Sequence, residues 1–258
     1  MNRLKIISAS QFERYKKEQK LTLLKHFNKI KRTNYDLGFV RKASVVYSSM
    51  IEGNPIDLDT YYKYYTSGMN TKTRSFREIN DLEEAYVFAQ GHVPNQKNML
   101  HAHELLTKTI ALEKKYRGAY RDKEVAVMKN GNEVVYSGAK VAILKEEMDK
   151  LFHDIEILRQ RELTISQVFY FASMIHLVFV AIHPFADGNG RTARMLEKWF
   201  LADKLGKDAW SIPSEKLYHR RSRSYHNNLN RIGRSYETVD YDYAIPFLKM
   251  LPMALRIK

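Results

Sequence analysis

His183-Pro184-Phe185-Ala186-Asp187-Gly188-Asn189-Gly190-Arg191-Thr192-Ala193-Arg194 is the stretch on which the reading of this chain turns. The run before it, Val168 to Ile182, is apolar on nearly all sides, as suits a helix at the centre of a bundle. Thr164 and Gln167 form a capping-box pattern ahead of that run. After the stretch, Leu196, Trp199 and Phe200 mark another helix, with Gly206 as its stop. The quoted segment is therefore a loop running into a helix N-terminus. Such a terminus binds anions through free N–H groups and the helix dipole, and Gly188 and Gly190 let a phosphate approach the backbone. Arg191 and Arg194 lie three apart near the helix start, where positive charge opposes the dipole unless an anion is bound. Asp187 suits a divalent cation held between phosphates, and His183 suits a general base.

Working outward, most of the chain reads as helix. Phe39, Ala43, Val46 and Met50 recur at helical spacing before Gly53 and Pro55. Val141, Leu144, Met148, Leu151, Phe152 and Ile155 mark a further amphipathic helix. One segment departs from this. Alternating valines around Asn130-Gly131 predict a short β-hairpin at 124–136, which must lean on the helices as a flap. The polar stretch around residue 95 is the expected boundary between an N-terminal helical region, 1–95, and the core that carries the motif, 96–258. The fold expected is all-α with one hairpin.

Composition excludes several classes. The chain has 258 residues, 44% hydrophobic and 28% charged, and no cysteine, so disulfides, thiolate metal sites and a cysteine nucleophile are out. The N-terminal residues hold no apolar stretch suited to a signal peptide, and Val168–Ile182, interrupted by Ser173 and His176, is short for a bilayer. A cytoplasmic protein with no membrane partner is expected. The net charge of +14 is spread over early lysines (Lys16, Lys17, Lys20, Lys25, Lys29) and late arginines (Arg220, Arg221, Arg223, Arg231, Arg234), with no single nucleic-acid arm. Gly188-x-Gly190-x-x-Ala193 lacks the strand and βαβ unit of a dinucleotide fingerprint. His176 with His183 lacks zinc-ligand spacing, and His101 and His103 diverge on a helix.

His-x-Phe-x-Asp-Gly-Asn-Gly-Arg-x-x-Arg, in residues 183–194, resembles the signature of the Fic family at every defining position. Gly118-Ala119-Tyr120-Arg121 followed by the hairpin is similar to the family's flap region. The resemblance implies a transfer of AMP from ATP to a Ser, Thr or Tyr hydroxyl of a protein, the enzyme itself included, with Mg2+ (or Mn2+) as cofactor. His183 would take the hydroxyl proton and Asp187 would bind the metal. Gly188, Asn189, Gly190, Arg191, Thr192 and Arg194 would hold the nucleotide, with Tyr225 toward the adenine. Val134, Val135 and Tyr136 of the second hairpin strand would receive an extended target segment. The chain departs from the family's late Tyr-Tyr pair and following Asn, having Tyr225-His226 and Gly233 there. It also has Gly188-Asn189-Gly190 where the related Doc kinases have Ala-Asn-Lys.

Ser48-Ser49-Met50-Ile51-Glu52-Gly53 is the second signal. Ser48 and Glu52 are four apart and share a helix face, and Glu52 ends its helix where its charge opposes the dipole. Ser-x-x-x-Glu-Gly resembles the family's inhibitory motif, whose glutamate pairs with the second arginine of the signature, here Arg194. Its place ahead of the core resembles the subclass with an N-terminal inhibitory helix. Two other readings stand beside AMP transfer: removal of AMP by a water positioned on Glu52, and a basic nucleic-acid-binding module with a degenerate nucleotide site.

Overall fold

The computed structural model describes residues 4–33, 35–67, 73–111, 113–129 and 133–257. In chain order these form α1 (Phe12–Glu18), α2 (Leu23–Arg32), α3 (Leu37–Ile51), α4 (Leu58–Ser67), α5 (Arg74–Gln90), α6 (Gln96–Leu106), β1 (Ala126–Lys129), β2 (Glu133–Ser137), α7 (Val141–Gln160), α8 (Ile165–Ile182), α9 (Asn189–Leu205), α10 (Ser214–Arg220), α11 (Ser222–Asn230), α12 (Ile245–Leu248) and α13 (Met250–Ala254). The all-helical expectation holds.

α8 is the axis. Its capping box is complete: Thr164 N–H donates to Gln167 Oε1 at 2.8 Å, and Gln167 N–H donates to Thr164 Oγ1 at 3.3 Å. From Val168 to Phe179 every side chain is buried, which is why the sequence there shows no polar face. α9 returns along α8 in the most extensive contact of the bundle, and α1, α2, α7, α12 and α13 also pack on α8. α9 ends at Gly206 (φ 88°), a conformation that glycine adopts without penalty. One hydrophobic cluster runs from Ile7 to Leu255 and takes in residues on both sides of residue 95.

α3 corrects the simple reading of its apolar stripe. Phe39 is 41% exposed, whereas Lys42, Ser44, Ser48 and Ser49 are buried. The buried face is polar because its neighbours are charged. Lys42 pairs with Glu83 at 3.0 Å, Ser44 Oγ accepts from Lys198 Nζ at 2.7 Å, and Ser48 accepts from Arg194. Burial of Lys42, Ser44 and Ser48 is tolerable because each finds a partner, whereas the Ser49 hydroxyl has none among the described residues.

The hairpin forms near the expected position, as an antiparallel β1–β2 pair. Asn130-Gly131, the expected turn, lies outside the described residues. Val127 pairs with Tyr136 and Met128 with Val134, so Val135 is an extra residue, a β-bulge. Tyr136 is buried, and its hydroxyl donates to the carbonyl of Ala181 at 2.8 Å, tying the flap to the last turn of α8.

Replacing Ile175, fully buried on α8, by alanine should destabilise the fold by about 2–5 kcal/mol. Val87→Ala, at a position 49% exposed, should stay within about 0.5 kcal/mol. Urea midpoints at equal m-values measure both. Equal shifts would show that α8 is not the core.

Candidate active site

α8 stops because His183 takes the left-handed conformation (φ 54°, ψ 60°), alone among the described non-glycine residues. Such a residue persists where its surroundings over-determine it, and here they do. Its carbonyl accepts from Arg121 Nε at 2.9 Å, and the Arg121 N–H donates to Pro184 O at 3.0 Å. Arg121 also donates to the carbonyls of Lys123 (3.0 Å) and Ala139. Ala139 N–H in turn donates to Ile182 O at 3.0 Å. One buried guanidinium thus joins the backbone of the loop to the base of the flap. Gly138 makes this approach feasible, since a Cβ there would lie 2.8 Å from His183 Cβ and 3.1 Å from Ile182 O.

The loop is closed from two more directions. Asn189 accepts from Phe185 N–H (2.9 Å) and donates back to Phe185 O (2.8 Å). His103, from α6, stacks on the Phe185 ring at 3.4 Å between centroids. Its Nδ1 accepts from Gly118 N–H and its Nε2 donates to Asp187 O, both at 3.0 Å. These two bonds define its neutral tautomer. Burial lowers its pKa to about 4, with the Asp187 hydrogen bond working the other way.

The loop delivers its functional groups to one end of α9. Thr192 N–H donates to Gly188 O at 2.9 Å, so the N–H groups of Asn189, Gly190 and Arg191 are left at the open helix end. Gly188 has φ 79°. Arg191 Nη2 donates to Asp187 Oδ1 at 3.1 Å, while its buried Nε has no partner. An orphaned guanidinium donor beside free helix N–H groups is the arrangement an oxyanion completes. Thr192 is buried with its hydroxyl on Gly188 O (2.9 Å), so it shapes the turn.

His183 turns its Nδ1 toward Val180 O at 3.4 Å, which leaves Nε2 as the basic nitrogen. Burial drives its pKa down to about 4; Val180 opposes that, Arg121 adds to it, and Glu52 and Asp187 oppose it. At neutral pH the ring is uncharged and can accept a proton.

Arg194 is 1% exposed. Its Nε donates to Ser48 Oγ at 2.9 Å, Nη2 to Ser48 O at 3.0 Å and to Glu52 Oε1 at 2.7 Å, and Nη1 to the Tyr225 hydroxyl oxygen at 3.3 Å. The pair with Glu52 therefore uses one carboxylate oxygen, and Ser48 takes the remaining donors on that side. Burial resists the Glu52 charge, but Arg194, then Arg191, hold the carboxyl below its usual range. A Cβ on Gly190 would lie 2.4 Å from Glu52 Oε1, so only glycine lets the carboxylate lie across the helix start. Tyr225 is buried and its hydroxyl also reaches His176 Nε2 at 3.0 Å.

Glu52, Val127, Tyr136, His183, Gly190, Arg194, Tyr225 and Asn230 line one pocket of about 150 Å³. Ligand pockets are commonly about 300–1,000 Å³, so this one is narrow for a ligand of that size. Asp187 stands apart from that lining, at the loop's outer side with its side chain 53% exposed. Among the described residues no three His, Cys, Asp or Glu side chains cluster as a metal cage. A single carboxylate suits Mg2+ only if phosphate oxygens and water supply the other ligands. Val134 and Val135 lie on the outer side of the flap, away from Tyr136. Sequence reasoning missed Arg121's anchoring role, His103, Gly138 and His176, whose partners lie far away in the chain.

Residues 94–201 match the family model described as Fic/DOC family. It is 29% identical over 178 residues to the protein adenylyltransferase Fic of Nematostella vectensis. That match takes in 66% of this chain and 35% of the relative, so the chain spans about a third of that protein's length. Among solved structures, a Fic family protein from Desulfovibrio desulfuricans G20 aligns with TM-score 0.71 and 21% identity, covering 99% of this chain and 74% of that one. A Fic domain containing signaling protein from Bacteroides thetaiotaomicron VPI-5482 aligns at 0.68 and 16%, covering 96% and 95%. Fic-1 from C. elegans aligns at 0.65 and 16%, covering 96% and 70%. At these identities the likeness is one of fold.

The His183 imidazole should titrate near pH 4 in a two-dimensional NMR titration, with assignment by loss of the signal in His183→Ala. A midpoint near its ordinary 6.5 would mean a solvated ring. Gly138→Ala should cost about 1–3 kcal/mol, because the methyl meets backbone and Cβ atoms that cannot swing away. Chemical denaturation reads that loss, and an unchanged midpoint would contradict the close approach.

Proposed function

We propose that this chain transfers AMP from ATP to a hydroxyl of a protein, and that Glu52 holds the reaction in check. The observation that carries the reading is the convergence on one short loop and helix end of a neutral His183, free helix N–H groups and the orphaned Arg191 donor. The attacking hydroxyl oxygen bonds to the α-phosphorus, its proton passes to His183 Nε2, and the bond to the leaving pyrophosphate breaks. Gly188, Asn189, Gly190 and Arg191 stabilise the oxygens on which charge builds, by positioning and electrostatics. Asp187 would hold Mg2+, which would screen the phosphate charges. Tyr225 lies beside Arg194, and Tyr136 and Val127 line the same pocket.

Arg194 can serve the γ-phosphate or Glu52, but its donors are engaged by Ser48, Glu52 and Tyr225. With Glu52 in place the triphosphate settles out of line, and a misplacement of about 1 Å can cost on the order of a hundredfold in rate. A second reading, removal of AMP by water, is favoured by one observation. Among the described residues only Oε1 of Glu52 is hydrogen-bonded, which leaves Oε2 for a water near His183. An extended target segment would add to the outer edge of β2 at Val134 and Val135.

Incubation with α-labelled ATP and Mg2+, followed by intact mass, tests the reading. Glu52→Gly should label itself or added protein at a rate on the order of a hundredfold above the wild type. Glu52→Gly/His183→Ala should not label at all, and Arg194→Ala should show no gain. Equal labelling by wild type and Glu52→Gly would reduce Glu52 to a helix-end residue. Release of AMP from a labelled protein by the wild type, lost in Glu52→Gly, would establish the second reading. The acid limb of the labelling rate should fall near pH 4, because protonation of His183 removes the base.

A further inference from the structure

The stretch 220–234 holds Arg220, Arg221, Arg223, Arg231 and Arg234 and no carboxylate. Arg231 and Arg234 are exposed, and neither pairs with a carboxylate among the described residues. They line a cavity of about 430 Å³ together with Asn227 and Asn230 on one side and Val134 and Val135 of β2 on the other. Asn230 also lines the pocket that contains His183, so the cavity and that pocket share a wall.

The outer edge of β2 is covered at one end only. Ser137 N–H donates to Arg234 O at 3.0 Å, and Ser137 bridges Ser235 in parallel. Beyond that bridge the edge runs along the cavity through the bulged Val135 to Val134, which is 53% exposed. A strand edge supplies main-chain pairing without sequence preference, so specificity has to come from the side chains flanking it. Here the flank consists of two arginines without a carboxylate partner among the described residues and two amides, facing two valines.

Resting on the proposed reading of the flap, we infer that the target is an extended, acidic segment whose carboxylates are read by Arg231 and Arg234. The main chain of this segment pairs with β2, one set of alternate side chains packs on Val134, and the acceptor hydroxyl is carried toward His183. Carboxylates on the other set meet the guanidinium groups, a geometry in which arginine binds two oxygens at once. Single-stranded nucleic acid, the other polyanion such a stretch attracts, is held by aromatic stacking as well as charge. None of the cavity's lining residues is aromatic.

The test uses the full chain carrying Glu52→Gly and two fluorescein-labelled probes. One is a twelve-residue peptide of alternating valine and glutamate around a central threonine, and the other is its lysine counterpart. Anisotropy at low and moderate salt should show the acidic peptide binding about tenfold or more tightly, with the difference shrinking as salt rises. Arg231→Gln/Arg234→Gln should abolish the preference, and Arg231→Glu/Arg234→Glu should reverse it. An unlabelled single-stranded oligodeoxynucleotide should not displace the peptide. Equal binding of the two peptides, binding of neither, a preference that survives charge reversal, or displacement by the oligonucleotide at similar affinity each overturn the inference. Self-labelling of the same Glu52→Gly protein is read in parallel. Its absence counts against AMP transfer, whereas labelling without an acidic preference counts against this inference alone. Circular dichroism of both double variants checks that each is folded.

Discussion

A guanidinium buried in a helical bundle must find acceptors, and Arg194 is that guanidinium. An unpaired charge of this kind would be driven out of the interior or would unfold it. Arg194 instead draws Ser48 of α3, Glu52 at the C-terminal cap of α3 and Tyr225 of α11 onto α9. The chain of partners continues. Arg194 can only donate, so the Tyr225 proton is directed at His176 Nε2, and His176 Nδ1 then donates to Glu197 at 2.9 Å. Glu197 also accepts from Tyr218 at 2.9 Å. The polar line crosses α9, α11, α8 and α10, and every member is buried. One turn further along α9, Lys198 pairs with Glu215 at 2.5 Å and donates to Ser44, while Tyr86 donates to Glu215. Networks of this sort specify one packing because a half-satisfied version is worse than an apolar core. They explain why α3 buries serines and a lysine while leaving Phe39 outside.

The loop between α8 and α9 follows a different logic. It is small, ends on Gly188, and would be mobile if left to itself. Arg121, Asn189 and His103 hold its backbone at His183–Pro184, Phe185 and Asp187 in turn, mostly by side-chain bonds to main-chain atoms. The side chains of His183 and Arg191 are thereby aimed without being used up. A site preorganised in this way loses little to reorganisation when charge develops on a bound group.

Much of this was legible in the sequence, for identifiable reasons. The Thr164–Gln167 capping box, the largely apolar run to Ile182 and Gly206 placed α8 and α9, because capping and periodicity are local effects. Alternating valines placed the hairpin for the same reason, whereas the bulge at Val135 depends on pairing geometry and was not visible. The loop residues were legible because they are contiguous. His103 was not, since its bond to Asp187 spans 84 positions and nothing near it in the chain announces a stacking partner. His176 invites only a metal-ligand reading in the sequence, and its partners, Glu197 and Tyr225, lie 21 and 49 positions away. Tyr136 was grouped with Val134 and Val135, but strand alternation and the bulge send its side chain to the opposite face, where Ala181 O binds it.

The covalent link between Glu52 and Arg194 through 142 positions of one chain has a consequence of its own. On the proposed reading, Glu52 is a ligand tethered to its own receptor, and its local concentration is set by the packing of α3. Diluting the protein does not weaken it, and concentrating the protein does not strengthen it. Free arginine-seeking anions in solution face a competitor that never diffuses away. Release therefore comes from within the molecule, by a loosening of α3 against α5, α9 and α10, or from a nucleotide that gains more from Arg194 than Glu52 does. A switch built this way answers to contacts made on the helix rather than to the abundance of the enzyme.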